Sequence, residues 1–159
     1  MNVTSFTIDH DRLLRGIYVS RKDSVGSETV TTFDVRIKCP NIEPPVEISA
    51  IHTLEHLIAV YLRSEESGIS DRVIYVGPMG CRTGMYIIFK GDLTSEEVLP
   101  YITKAFEYVR DFTGIVPATT SKECGNYLDH NLTFAKYEAD KYLSEVLYKI
   151  TPENLNYPE

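Results

Sequence analysis

Ile51-His52-Thr53-Leu54-Glu55-His56-Leu57 is the stretch around which the rest of the chain arranges itself. An α-helix turns about 100° per residue, so His52 and His56 fall on one face with Glu55 beside them. Leu54 and Leu57, continued by Ile58, Tyr61 and Leu62, form a second, apolar stripe. The pattern predicts a helix reaching about residue 63, capped by Ser49, whose apolar stripe lies buried against a sheet. The fold class that follows is α+β, an antiparallel β-sheet packed against α-helices in one domain over residues 1–159.

The strands are legible on either side. Ile17, Tyr18 and Val19 read as a strand, residues 23–27 as a turn around Gly26, and residues 29–38 as the returning strand of a hairpin. In that second strand Phe33, Val35 and Ile37 alternate with Asp34, Arg36 and Lys38, which places the charged trio on a solvated face. Residues 73–76 and 85–89 read as two further strands. Their connector, Gly77-Pro78-Met79-Gly80-Cys81-Arg82-Thr83-Gly84, holds three glycines and a proline and must be a specially shaped turn. A helix is expected from Ser95, capped by its own hydroxyl, and a last one over about residues 132–150.

Composition narrows the partners. A chain of 159 residues that is 43% hydrophobic can bury a real core. Its formal charge of −7, without a Lys/Arg run, argues against nucleic acid or an anionic membrane as the principal partner. No apolar run approaches the roughly 20 residues of a membrane span, and no cationic-then-apolar leader opens the chain, so a cytoplasmic protein is expected. The cysteines are Cys39, Cys81 and Cys124, an odd number without CxxC spacing, which points to free thiols in a reducing compartment.

Two imidazoles at i and i+4 can share a metal ion, and a neighbouring carboxylate outside the ligand set can move protons. A catalytic ion normally has three protein ligands and one open position. The third ligand therefore comes from the remaining thiols, His10, His130 or a carboxylate. Cys124 is attractive because Gly125 follows it and leaves the thiolate uncrowded. Cys81 differs: its turn can offer a nest of backbone N–H groups, with Arg82 next in sequence, and such a setting favours a reactive thiolate. Against these stand plainer readings, a histidine-bearing buried helix and cysteines that serve as small apolar residues. The spacing is also H-x-x-E-H, as in a class of metallopeptidases, although those chains are much longer and use a carboxylate as third ligand. A third reading is a binding module with a structural ion and four protein ligands.

His52-Thr53-Leu54-Glu55-His56-Leu57, the Pro78-Met79-Gly80-Cys81-Arg82-Thr83-Gly84 turn and Cys124-Gly125 follow one another in an order and spacing that resemble the S-ribosylhomocysteine lyase (LuxS) family. Ser5-Phe6-Thr7-Ile8-Asp9-His10 and Phe33-Asp34-Val35-Arg36 join the match, which spans residues 5–130. The resemblance implies that His52, His56 and Cys124 are metal ligands and that Glu55 and Cys81 are the two acid/base groups. It implies that Ser5, His10 and Arg36 help form the substrate pocket. It further implies a homodimer with sites near the subunit interface and one Fe(II) per subunit, which Zn(II) or Co(II) can replace. Tyr75 departs from the pattern, standing where the family often carries an acidic residue.

The reaction implied is cleavage of a ribosyl thioether to homocysteine and 4,5-dihydroxy-2,3-pentanedione, the autoinducer-2 precursor. The C5–sulfur bond is unactivated until a carbonyl stands at C3, because only then is the C4 proton acidic with sulfur β to the carbanion. The carbonyl must therefore migrate from C1 to C3 before elimination. Such a sequence needs a Lewis acid for the enediolates and two proton carriers, which is what a His2Cys ion, Glu55 and Cys81 would supply.

Overall fold

The computed structural model describes residues 3–158, with the side chain of Thr4 left aside. A ten-residue strand, β1 (Gly16–Val25), turns at Gly26 into β2 (Glu28–Arg36). Helix α1 (Ile48–Leu62) follows, then β3 (Val73–Pro78), β4 (Gly84–Lys90), α2 (Ser95–Asp111) and α3 (Leu132–Glu145). All strand pairs are antiparallel, and the sheet order is β1-β2-β4-β3. The expected α+β class and hairpin are present.

The three helices cover one face of the sheet. Phe33, Val35, Met85, Ile87 and Phe89 point into that layer, where they meet Leu54, Leu57 and Ile58 of α1, Ile102 and Phe106 of α2, and Ala139 and Leu143 of α3. Each of these leucines is fully enclosed, and burying one is worth on the order of 1.5–3 kcal/mol. The apolar stripe of α1 therefore fixes the helix's rotation on the sheet. The same rotation turns His52, Glu55 and His56 toward the rim.

Helix ends depart from the sequence expectation in three places. Glu47, not Ser49, caps α1: its carboxylate accepts the amides of Ser49 and Ala50 and the Ser49 hydroxyl. A carboxylate there also faces the positive end of the helix dipole. Thr94, not Ser95, caps α2, in a reciprocal capping box with Glu97. The last helix stops at Glu145, and a short 3-10 turn at Leu147–Lys149 continues the path.

The outer face of the sheet holds a larger correction. Asp34, Arg36 and Lys38, expected to be solvated, are only 1%, 2% and 5% exposed. The C-terminal segment is folded across the first two of them. Tyr157 stacks on Tyr18 with ring centroids 4.7 Å apart and donates its hydroxyl hydrogen to Asp34 Oδ2 at 2.9 Å. Gly16 lets that segment approach, since a Cβ there would stand 2.0 Å from the Asn154 carbonyl oxygen. Lys38 is buried instead against α3, with Nζ 2.6 Å from Glu138 Oε2. The remainder of the outer face is open, a groove of about 650 Å3 lined by Val25, Ile74, Tyr75, Tyr86 and Ile88 among others. None of the described helices is long and apolar enough to cross a membrane.

Candidate active site

α1 presents His52 and His56 from one face, and the loop before α3 folds back over them. One ring nitrogen each of His52, His56 and His130 and the sulfur of Cys124 lie within 4.8 Å of one another. His52 Nε2 is 3.4 Å from Cys124 Sγ. Bonds of about 2.0–2.3 Å at tetrahedral angles set two donors on one ion roughly 3.3–3.7 Å apart, so this pair already has the spacing that a shared ion requires.

The tautomers are set by backbone carbonyls. His52 Nδ1 is 2.8 Å from the Asp129 carbonyl oxygen and His56 Nδ1 is 2.9 Å from that of Pro117. A carbonyl only accepts, so both Nδ1 atoms carry hydrogen and both Nε2 atoms keep their lone pairs for the centre. His130 follows the same logic by another route. Thr53 gives its one hydroxyl hydrogen to the Ser49 carbonyl oxygen at 2.9 Å, so at 3.1 Å from His130 it accepts from Nδ1–H. His130 Nε2 is left buried, unprotonated and without a hydrogen-bond partner among the described residues. Burial first, then His52 and His56, lower the His130 pKa and keep the ring neutral. A buried lone pair without a partner, beside two others and a thiol, makes a donor set that could hold a cation.

Cys81 sits in the connector between β3 and β4. The connector is closed by Met79 N–H to the Gly84 carbonyl and Arg82 N–H to the Met79 carbonyl, with Arg82 in the left-handed region at φ 58°. Gly84 permits β4 to start against β2, because a Cβ there would be 2.5 Å from the Val35 carbonyl oxygen. The cation beside the thiol is Arg36 rather than its sequence neighbour Arg82. Arg82 Nη1 donates to the Val46 carbonyl at 3.0 Å, whereas Arg36 Nη1 lies 3.9 Å from Cys81 Sγ. Burial tends to raise the Cys81 pKa. The Thr83 hydroxyl, backbone amides of the turn and the Arg36 charge outweigh it and hold the thiol below its ordinary value.

A family model described as S-Ribosylhomocysteinase (LuxS) matches residues 3–153. The chain belongs to the LuxS family. It is 57% identical to an S-ribosylhomocysteine lyase of Phocaeicola vulgatus over 156 residues, covering 98% of this chain and 96% of that relative. It is 54% identical to the S-ribosylhomocysteine lyase of Porphyromonas gingivalis over 157 residues, 99% of this chain and 98% of the relative. To that of Clostridium beijerinckii it is 46% identical over 156 residues, 98% of each chain.

Of the residues singled out by the LuxS resemblance, His52, His56 and Cys124 converge, and His130 joins them. His10 lines a pocket of about 320 Å3 together with Cys81 and Thr83. Arg36 stands behind that pocket, its Nε and Nη2 on the two carboxylate oxygens of Asp34 at 3.0 and 2.5 Å. Ser5 lines the groove on the outer sheet face, beside Tyr86 and the departing residue Tyr75. Glu55 is half-buried and makes no side-chain hydrogen bond or ion pair among the described residues. His130 was one of several open candidates in the sequence, and Thr83 and Asp34 carried no signal there beyond their place inside the matched motifs.

Proposed function

We propose that this chain is a metal-dependent carbon–sulfur lyase acting on S-ribosylhomocysteine, giving homocysteine and 4,5-dihydroxy-2,3-pentanedione by two carbonyl migrations and a β-elimination. The observation that carries the reading is the pairing of two constellations in one small fold: convergent imidazole and thiol donors, and a separate thiol whose surroundings favour the thiolate. Family membership and the names of the relatives support the same substrate.

In this reading His52, His56 and Cys124 hold one Fe(II) per subunit, or Zn(II) or Co(II) in its place. When bound, the ion supplies Lewis acidity toward the sugar's carbonyl oxygens. The chain's own groups do the rest. The Asp129 and Pro117 carbonyls hold the imidazoles in the metal-binding tautomer. Cys81, its thiol eased toward the thiolate by Thr83 and Arg36, takes and returns a carbon-bound proton on one side of the sugar. Glu55, with no side-chain partner among the described residues, is the second proton carrier. His10 closes the pocket beside Cys81, Ser5 contributes from the outer face, and Arg36 shapes the pocket from behind.

The open outer face supports a homodimer. Val25, Ile74 and Tyr75 are 62%, 47% and 49% exposed there, more apolar surface than one subunit has use for. All three cysteines are free thiols, in keeping with a cytoplasmic protein of one domain.

One observation favours a second reading. Four donors, rather than three, would suit a closed structural ion. That reading leaves the Arg36-backed thiol of Cys81 without a purpose. Two measurements separate them: release of free thiol from S-ribosylhomocysteine by metal-loaded protein, and the visible spectrum of the cobalt form as substrate is added. No thiol release together with an unresponsive spectrum would establish the structural site.

A further inference from the structure

We propose that Thr83 is a positioning residue for the thiolate of Cys81, the group through which Arg36 acts on it. The proposal deepens the reading of Cys81 as a proton carrier and rests on that reading for its catalytic consequence only.

The donor inventory decides the direction of the contacts. A guanidinium has five N–H groups and no acceptor, so at 2.6 Å Arg36 Nη1 donates and Thr83 Oγ1 accepts. The hydroxyl has one hydrogen, and Cys81 Sγ lies 3.1 Å away, much nearer than the 3.9 Å separating it from Arg36. With its oxygen facing Arg36, Thr83 has its hydrogen free for the sulfur. An O–H polarised by a cation is a better donor than a neutral one, because the charge is passed along the chain of hydrogen bonds. A hydrogen bond made to the charged form stabilises that form.

The geometry is over-determined. Thr83 is 7% exposed, so water does not readily replace it. Arg36 is held from the far side by both oxygens of Asp34, and Asp34 Oδ2 also accepts from Tyr157. A continuous path therefore runs from the C-terminal tyrosine through a buried ion pair to the thiol. Burial of Arg36 against Asp34 alone would make a structural ion pair. Spending the remaining Nη1 on a hydroxyl that touches a cysteine is what adds a function.

Other titratable groups near the thiol are few. His10 from the N-terminal segment and Glu43 from the loop before α1 line the same pocket. Tyr86 of β4 stands opposite Asp34 in the sheet register. Arg82, next in sequence, is committed to the Val46 carbonyl. None of these side chains makes a hydrogen bond to the sulfur as Thr83 does.

The test is the pH dependence of iodoacetamide alkylation of Cys81 in the metal-loaded full chain. Peptide mass mapping counts Cys81 apart from Cys39 and Cys124. Thr83→Val removes the hydroxyl at nearly constant volume, and Thr83→Ser restores it. The midpoint in Thr83→Val should rise by about one pH unit, the size expected for one hydrogen bond to a charged group, and Thr83→Ser should stay within a few tenths of the parent. Turnover in Thr83→Val should fall in kcat with KM little changed. Metal content verifies folding at a distance from the substitution, and Thr83→Ala carries the same test if the valine variant does not retain its ion. An unshifted midpoint in the hydroxyl-free variants, or an equal shift in Thr83→Ser, overturns the proposal. An unshifted Thr83→Val beside a raised Arg36→Met would assign the effect to the guanidinium alone. These outcomes stand whether or not the parent cleaves S-ribosylhomocysteine, so failure of the proposed reaction is told apart from failure of this role.

Discussion

His52 Nε2 and Cys124 Sγ lie 3.4 Å apart across 72 residues of sequence. The Asp129 carbonyl receives His52 Nδ1–H, and Asn131 N–H donates to the Ser49 carbonyl, so the loop carrying Cys124 is tied to α1. The two contacts turn a pair of helical histidines into a site with a thiol.

That arrangement separates metal retention from turnover. His56→Ala should lose bound metal and activity together, since it removes one of the three proposed ligands, His52, His56 and Cys124. Cys81→Ala should keep a full equivalent of metal while its turnover falls about 10²- to 10⁴-fold, the usual contribution of a positioned acid/base group. Atomic absorption beside a rate assay reads both. Metal loss in Cys81→Ala would place that residue in the wrong constellation.

His130 divides a three-ligand site from a four-ligand one. With three other donors intact, His130→Ala should still bind one equivalent of metal, about 10- to 100-fold more weakly, as for loss of a supporting group around an ion. Competition with a chromophoric chelator measures this. A protein that no longer holds metal at all would make His130 an obligatory ligand and the site a closed one.

The sequence disclosed the parts of this site that lie on one element. His52 and His56 share a helix face, and the Pro78–Gly84 turn is contiguous, so both were legible from spacing and residue type. What it concealed depends on contacts over long separations. Asp34 and Arg36 alternate with apolar neighbours as an exposed face would, but Tyr157, 123 residues beyond Asp34, closes over the aspartate and Thr83 meets the arginine. Arg82 was the natural cation for Cys81 because it is adjacent, but adjacent residues in a tight turn point apart, and Arg36 comes in from the neighbouring strand. Ser49 was the expected cap because serine is favoured there, whereas a glutamate two residues earlier reaches the same amides.

The buried pair between Lys38 and Glu138 anchors α3 to the segment following β2, both side chains being nearly enclosed. Glu138→Gln leaves the ammonium without its counter-charge. Stability should drop by about 3–5 kcal/mol, read from urea denaturation with an unchanged slope. A loss under about 1 kcal/mol would show that Lys38 finds water or another acid.

The outer sheet face makes an assembly prediction. Ile74→Lys puts a charge among exposed apolar residues of the groove, where it costs the single subunit little. Sedimentation should show the parent as a dimer and the variant shifted toward monomer. A monomeric parent would remove the face as an interface.

The central claim is tested most directly by incubating S-ribosylhomocysteine with the Fe(II)-loaded chain under anaerobic conditions and titrating free thiol over time. The account predicts one homocysteine thiol released per substrate consumed, with release abolished when the ion is stripped and restored when it is returned. Metal-loaded, folded protein that releases no thiol would contradict it.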